Sequence, residues 1–97
     1  MDERNIILNL YEIYGQLLTD REKTYFEYYY FEDYSLTEIA DIYSVSKSYV
    51  SKYLNKIINK LTKYEEVLKI SKKNNKIKEL LINIDDIEFK NKIEELL

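Results

Sequence analysis

Apolar residues recur along this chain at spacings of three and four, the period of an α-helix. Ile7, Leu10, Tyr14, Leu17 and Leu18 share one side of a helix predicted over roughly residues 4–17, broken before Thr19. Thr19-Asp20-Arg21-Glu22 then reads as a capping box: the Thr hydroxyl accepts from the Glu22 amide while the Glu carboxylate reaches back. The second helix that follows carries Tyr25, Phe26, Tyr29 and Tyr30 and ends around Phe31-Glu32-Asp33. Ser35-Leu36-Thr37-Glu38 repeats the capping chemistry, and Leu36, Ile39, Ala40 and Tyr43 form the apolar stripe of a third helix. Ala40 is the small residue that a close helix crossing needs. Ser44 marks a turn, Val45 is placed to plug the core, and Ser46 is a suitable N-cap for a fourth helix.

That fourth helix is predicted to be long. Val50, Leu54, Ile57, Leu61, Tyr64 and Leu68 alternate spacings of four and three, an a/d pattern over nearly three heptads. Unbroken from Lys47 to Ile70 it would span about 36 Å at 1.5 Å per residue. Thr62-Lys63-Tyr64-Glu65 offers another capping box, so a break near Leu61 is an alternative. Ser71-Lys72-Lys73-Asn74-Asn75-Lys76 reads as a polar joint. Beyond it Ile77, Leu80, Leu81 and Ile84 form one stripe, and Asp85-Asp86 is placed to cap a last helix bearing Phe89, Ile93, Leu96 and Leu97. The expectation is a helix-turn-helix domain over residues 1–70 and a C-terminal helical extension over 71–97, packed on the fourth helix or on a partner subunit.

Composition sharpens the fold class. Glycine occurs once, at Gly15, and proline not at all. Strands joined by tight hairpins usually need such residues, so the chain reads as all-α: a small helical bundle containing a helix-turn-helix without a wing. The absence of Cys and His excludes disulfides, thiol nucleophiles, imidazole bases and ordinary zinc sites. Asp85-Asp86 and Glu65-Glu66 are adjacent pairs whose side chains diverge on a helix, and a lone Gly15 cannot build a phosphate loop. Neither an enzyme nor a cofactor is therefore expected. No apolar run approaches the ~20 residues of a membrane span. The start Met1-Asp2-Glu3-Arg4 does not resemble a signal peptide, so a cytoplasmic location is the expectation.

Charge changes the picture further. Residues 46–76 hold nine Lys and two Glu, a local balance of +7, whereas residues 1–45 balance to −7 and residues 77–97 to −3. At 100° per residue, Val50, Leu54, Ile57 and Leu61 fall on the buried side of the fourth helix. Ser48, Ser51, Lys52, Asn55, Lys56 and Asn59 fall around the other side, with Lys60 and Lys63 extending it. Residues at the start of such a helix are the ones that enter a major groove. This assigns Lys47, Ser48, Tyr49, Ser51, Lys52 and Asn55 to groove contact, and Lys56, Lys60 and Lys63 to phosphates. Both arginines, Arg4 and Arg21, lie outside that helix. Base reading would then lean on Lys, Asn and Ser rather than on bidentate Arg–guanine contacts. Tyr28, Tyr29, Tyr30, Phe31 and Tyr34 are too crowded for one helix to bury them all, which leaves Tyr28 and Phe31 as a candidate protein-partner patch.

The run from Leu17 to Leu61 resembles the YlxM-like family of small bacterial proteins. The resemblance rests on Leu17-Leu18-Thr19, Tyr25-Phe26, Tyr29-Tyr30, Asp33, Ser35-Leu36-Thr37-Glu38-Ile39-Ala40 and Val45-Ser46-Lys47. It covers roughly the first 70 residues, with the tail after Lys76 outside the shared pattern. That family looks like a freestanding relative of the sigma-factor region that binds the −35 promoter element. The resemblance implies an all-α, DNA-binding, regulatory protein associated with the signal recognition particle pathway. It places Ser46 at the cap of the recognition helix, Lys47 at its first basic position and Val50 at its core contact. Lys47 stands where Arg is frequent, and Ser44 where the turn often has Gly. Two readings stay open: a module binding nucleic acid, DNA ahead of RNA, and a subunit binding the particle's GTPase or RNA without sequence-specific DNA recognition. The apolar tail exceeds what a small core needs, which also leaves room for a homo-oligomer.

Overall fold

The computed structural model describes residues 2–82 and 87–97. Ile84, Asp85 and Asp86, assigned above to an apolar stripe and a cap, lie outside the described residues. The elements in order are α1 (Glu3–Tyr14), a 3₁₀ turn (Gly15–Leu17), α2 (Asp20–Tyr30), α3 (Leu36–Tyr43), α4 (Lys47–Leu68), α5 (Ile70–Leu81) and α6 (Ile87–Glu95). No strand occurs among the described residues, so the fold is all-α.

Local chemistry sets the helix starts. Asp2 caps α1 by accepting from the Asn5 amide at 2.8 Å. Thr19 and Glu22 form a complete capping box on α2, with the Thr19 amide donating to Glu22 Oε1 at 2.8 Å. Ser35 and Glu38 do the same on α3. Ser46 accepts from the Tyr49 amide at 3.0 Å and opens α4. Caps of this kind are worth about 1 kcal/mol each, because they satisfy amides that no helical carbonyl can reach.

The core joins α1 to α4. Ile7, Leu10, Tyr14 and Leu18 meet Tyr25, Phe26, Ile39, Ala40, Val50, Leu54, Ile57 and Leu61. Leu17, expected on that side, is instead 54% exposed. The 3₁₀ turn has three residues per turn, and this tightening moves Leu17 outward and brings Leu18 in. Gly15 sits there because an added Cβ would lie 3.1 Å from the Tyr11 ring. On α2, Tyr25 and Phe26 are fully buried while Tyr29 and Tyr30 reach only the core edge.

The helix-turn-helix is α3, the turn at Ser44 and α4. Ser44 ends α3 in the left-handed region with φ 54° and ψ 45°, and the Val45 amide donates to Ala40 O at 3.0 Å. This back-bonding closes the helix end as a glycine would, with a non-glycine residue carrying the left-handed strain. Val45 packs half-buried against the core.

α4 does not break near Leu61: Thr62 donates its hydroxyl to Ile58 O at 2.9 Å rather than capping a new helix. The joint is not the polar run 71–76, which is helical and belongs to α5. It is Lys69 alone, left-handed at φ 54°. Two side chains from elsewhere satisfy the exposed amides of α5. Ile70 N–H donates to the Tyr14 hydroxyl at 3.0 Å, and the Ser71 and Lys72 amides donate to Glu65 at 3.3 and 3.1 Å. The Tyr14 hydroxyl in turn donates to Glu65 Oε2, and Asn9 Nδ2 donates to Ser71 Oγ at 2.7 Å. Burial and then the Glu65 hydrogen bond push the Tyr14 phenol up from its ordinary pKa. This knot, with α5 resting on α1, lets α4 extend past the four-helix core. Tyr64 is thus half-buried and Leu68 exposed at the end of the predicted stripe.

Candidate nucleic-acid interface

The outward side of α4 follows from its buried one. With Val50, Leu54, Ile57 and Leu61 in the core, the side chains of Lys47, Ser48, Tyr49, Lys52, Asn55, Lys56 and Lys63 are exposed, and Ser51 is half-buried. Lys52, Asn55, Lys56, Asn59, Lys60 and Lys63 line one shallow, open depression along the helix. No Asp or Glu occurs between residues 46 and 64; the acidic residues of α4, Glu65 and Glu66, come only at its far end.

Lys60 stands apart from the other lysines. Its ammonium lies 2.9 and 3.0 Å from the two carboxylate oxygens of Glu22, a residue only 3% exposed. The capping glutamate of α2 therefore also anchors α4, a pairing across 38 residues that local sequence pattern could not display. Burial alone pushes the Glu22 carboxyl up. The Thr19 amide, the Lys60 ammonium and the Thr19 hydroxyl outweigh it and hold the group below its ordinary range. The Glu22 hydrogen bond, opposed by desolvation, raises the Lys60 ammonium.

A depressed carboxylate stabilises the fold above its unfolded pKa, about 4.3 for Glu, and loses that contribution as pH falls through the lower folded value. Stability should therefore decline below about pH 5. Glu22→Gln should flatten that part of the curve, which chemical denaturation at a series of pH values will read. An unchanged acid limb in the variant would assign the decline to other carboxylates.

Aromatic rings frame the start of α4. Tyr25 stacks on Tyr43 at 4.3 Å and meets Tyr53 at 4.5 Å, while Tyr49 stacks on Tyr53 at 5.9 Å. Lys56 Nζ lies 5.9 Å from the Tyr53 ring centre. Arg21, from α2, lies over the same cluster. Absence of arginine from α4 does not mean absence from its neighbourhood.

The candidate partner residues divide between two neighbours. Tyr28 stacks on Tyr34 at 4.9 Å and approaches Tyr43 edge-on, towards α3. Phe31, 55% exposed, leans on Tyr11 and Phe26, towards α1.

A capped short helix, a left-handed turn and a long helix with a cationic outer strip define a helix-turn-helix protein. The comparisons give the particular family. The chain belongs to the UPF0122 family, whose model, described as "Putative helix-turn-helix protein, YlxM / p13 like", matches residues 1–97. The match reaches beyond the first 70 residues and includes the tail, which the sequence pattern had left outside. A UPF0122 protein of Ureaplasma urealyticum is 41% identical over 95 residues, spanning 98% of this chain and 96% of its own length. One from Ureaplasma parvum is 40% identical over the same span. A third, from Caldanaerobacter subterraneus, is 45% identical over 64 residues, which are 66% of this chain and 55% of that relative. The family is one of helix-turn-helix proteins. No helix among the described residues is long and apolar enough to cross a membrane.

Proposed function

We propose that this protein is a regulatory DNA-binding module that lays the outer strip of α4 into the major groove. The observation that carries this reading is the acid-free, exposed face of a helix-turn-helix second helix. Lys47, Ser48, Tyr49, Ser51, Lys52 and Asn55 face the base edges, and Lys56 and Lys63 hold phosphates, with Lys60 shared between phosphate and Glu22. Residues 1–70 carry the module and residues 71–97 form its helical extension. The acidic charge of residues 1–45 opposes indiscriminate wrapping of nucleic acid around the whole surface.

Parallel titrations test the reading: a mixed-sequence DNA duplex, the signal recognition particle RNA and the particle's GTPase, each at several salt concentrations. Binding to the duplex should weaken linearly in log–log form as salt rises, because counterions are released. Duplex binding that is absent at low salt, or insensitive to salt, would overturn it. A second reading has one observation in its favour, the exposed Phe31 ring held in place by Tyr11 and Phe26. On it, the helix-turn-helix is a scaffold and the GTPase is the ligand. Phe31→Ala, rather than any lysine change, should then release the GTPase in a pull-down.

A further inference from the structure

Arg21 occupies the second position of α2, directly after the Thr19 cap, so Tyr25 lies one turn further along the same face. Tyr43 from the end of α3 and Tyr53 from α4 also lie beside it. The guanidinium carbon is 5.6 Å from the Tyr25 ring centre, 5.9 Å from that of Tyr43 and 5.8 Å from that of Tyr53. One guanidinium nitrogen also donates to the Tyr25 hydroxyl at 3.5 Å, at the long limit of such a bond. The side chain is exposed. Neither ion pair found among the described residues, Lys60–Glu22 and Lys92–Glu88, involves it. The adjacent Glu22 is already committed to Thr19 and Lys60. Asp20, also exposed, is the other acidic group of that turn.

These observations describe an exposed cation set beside three aromatic rings, with one N–H on the Tyr25 hydroxyl and no carboxylate partner in either described ion pair. Ring contacts restrain a guanidinium, and the in-plane N–H donors not spent on Tyr25 stay available for an oxyanion. Restraint matters here because a flexible side chain loses rotamer freedom when it binds, and one already positioned loses less. Lys56 approaches the same Tyr53 ring from α4. The two cations thus approach one aromatic ring, Arg21 at 5.8 Å and Lys56 at 5.9 Å, one from each of two helices.

We infer that Arg21 is a phosphate-binding residue of this protein, forming with Lys56 a two-helix clamp around Tyr53 that grips the nucleic-acid backbone beside the recognition helix. The inference rests on the DNA-binding reading above and extends it. The interface continues from α4 onto α2, and it contains the arginine that α4 lacks. Bidentate N–H donation to a phosphate gives Arg21 an orienting role that a lysine point charge does not supply. The clamp thereby fixes the angle at which the start of α4 enters the groove.

The test is the binding of a mixed-sequence DNA duplex by the wild-type protein, Arg21→Gln, Arg21→Lys and Lys52→Glu across a salt series. Arg21→Gln should weaken binding several-fold and lower the slope of log K against log salt by about one. Arg21→Lys should keep the slope yet bind more weakly than wild type, because charge remains while the planar fork is lost. Far-ultraviolet circular dichroism and urea midpoints accompany each variant, since a merely structural ring contact would change stability and leave the salt slope alone. Unchanged affinity and slope in Arg21→Gln, with binding lost in Lys52→Glu, would overturn the clamp and leave the α4 reading standing. Failure of the wild-type protein to bind the duplex at any salt would overturn both.

Discussion

Phe26→Ala is expected to remove a large part of this protein's folding free energy. Phe26 is fully buried, stacked on Tyr11 at 4.1 Å and on Tyr30 at 4.4 Å, with Phe31 edge-on at 6.1 Å. It is the contact through which α1 and the end of α2 share the core. Truncating a buried Phe to Ala costs about 3–5 kcal/mol, because transfer free energy is lost and the surrounding rings cannot fully collapse into the gap. A domain of this size has about 5–15 kcal/mol in total. At roughly 4–8 °C per kcal/mol, the melting temperature should fall by about 12–40 °C. Phe31→Ala supplies the internal comparison. Its ring rests on the same cluster from outside, so its loss should cost well under half as much. Urea midpoints for both variants decide the matter; a Phe31 loss equal to the Phe26 loss would mean that the core does not run through α1 and α2 as described.

The contrast between these two aromatics shows how far the sequence reaches. Periodicity grouped Tyr25 and Phe26 with Tyr29 and Tyr30, of which only the first two are fully buried, and the caps at Thr19, Ser35 and Ser46 were visible because each is made by residues three apart. Such interactions are local, and local chemistry is written in consecutive letters. The a/d stripe was equally readable up to Leu61. Beyond that point burial depends on what stands opposite, and α4 outruns α2 and α3, so the same pattern at Leu68 faces solvent. The joint between α4 and α5 was misplaced for the same reason. Ser71–Lys76 looks like a linker by polarity, but Tyr14 and Glu65 supply the partners its first amides need. Those partners are 56 and six or seven residues away. Lys69 gives no warning that it will turn left-handed, as a glycine would. At the candidate interface, the lysine strip was legible from helical projection alone. The capture of Lys60 by Glu22, and the approach of Arg21 to Tyr53, arise only when α2 is laid across α4.

Reversing three lysines, Lys52→Glu, Lys56→Glu and Lys63→Glu together, should abolish measurable duplex binding at physiological salt. Each lysine is exposed and carries no carboxylate partner in either described ion pair, so the substitutions leave the core untouched. Surface changes of this kind usually move stability by less than about 0.5 kcal/mol each. Loss of the two phosphate contacts of Lys56 and Lys63 lowers the salt slope by about 1.8, at 0.9 per phosphate, and Lys52 loses its groove contact as well. Over a fourfold range of salt, those two phosphate contacts alone account for roughly a twelvefold difference in affinity. Carboxylates in their place add repulsion to the loss. Lys60 is left out of the set on purpose: Lys60→Glu would set a second carboxylate against the buried Glu22, and unfolding would masquerade as lost binding. The control is Lys72→Glu, Lys73→Glu and Lys76→Glu on α5, which lowers the net charge by the same amount at exposed positions away from α4's outer face. Net charge acts at a distance and fades within about 8 Å at physiological salt, whereas a contact acts where it is. The α4 variant should lose binding and the α5 variant should retain most of it. Equal losses in the two would mean that overall charge, not the outer face of α4, governs the affinity, and the groove-facing assignment would fall.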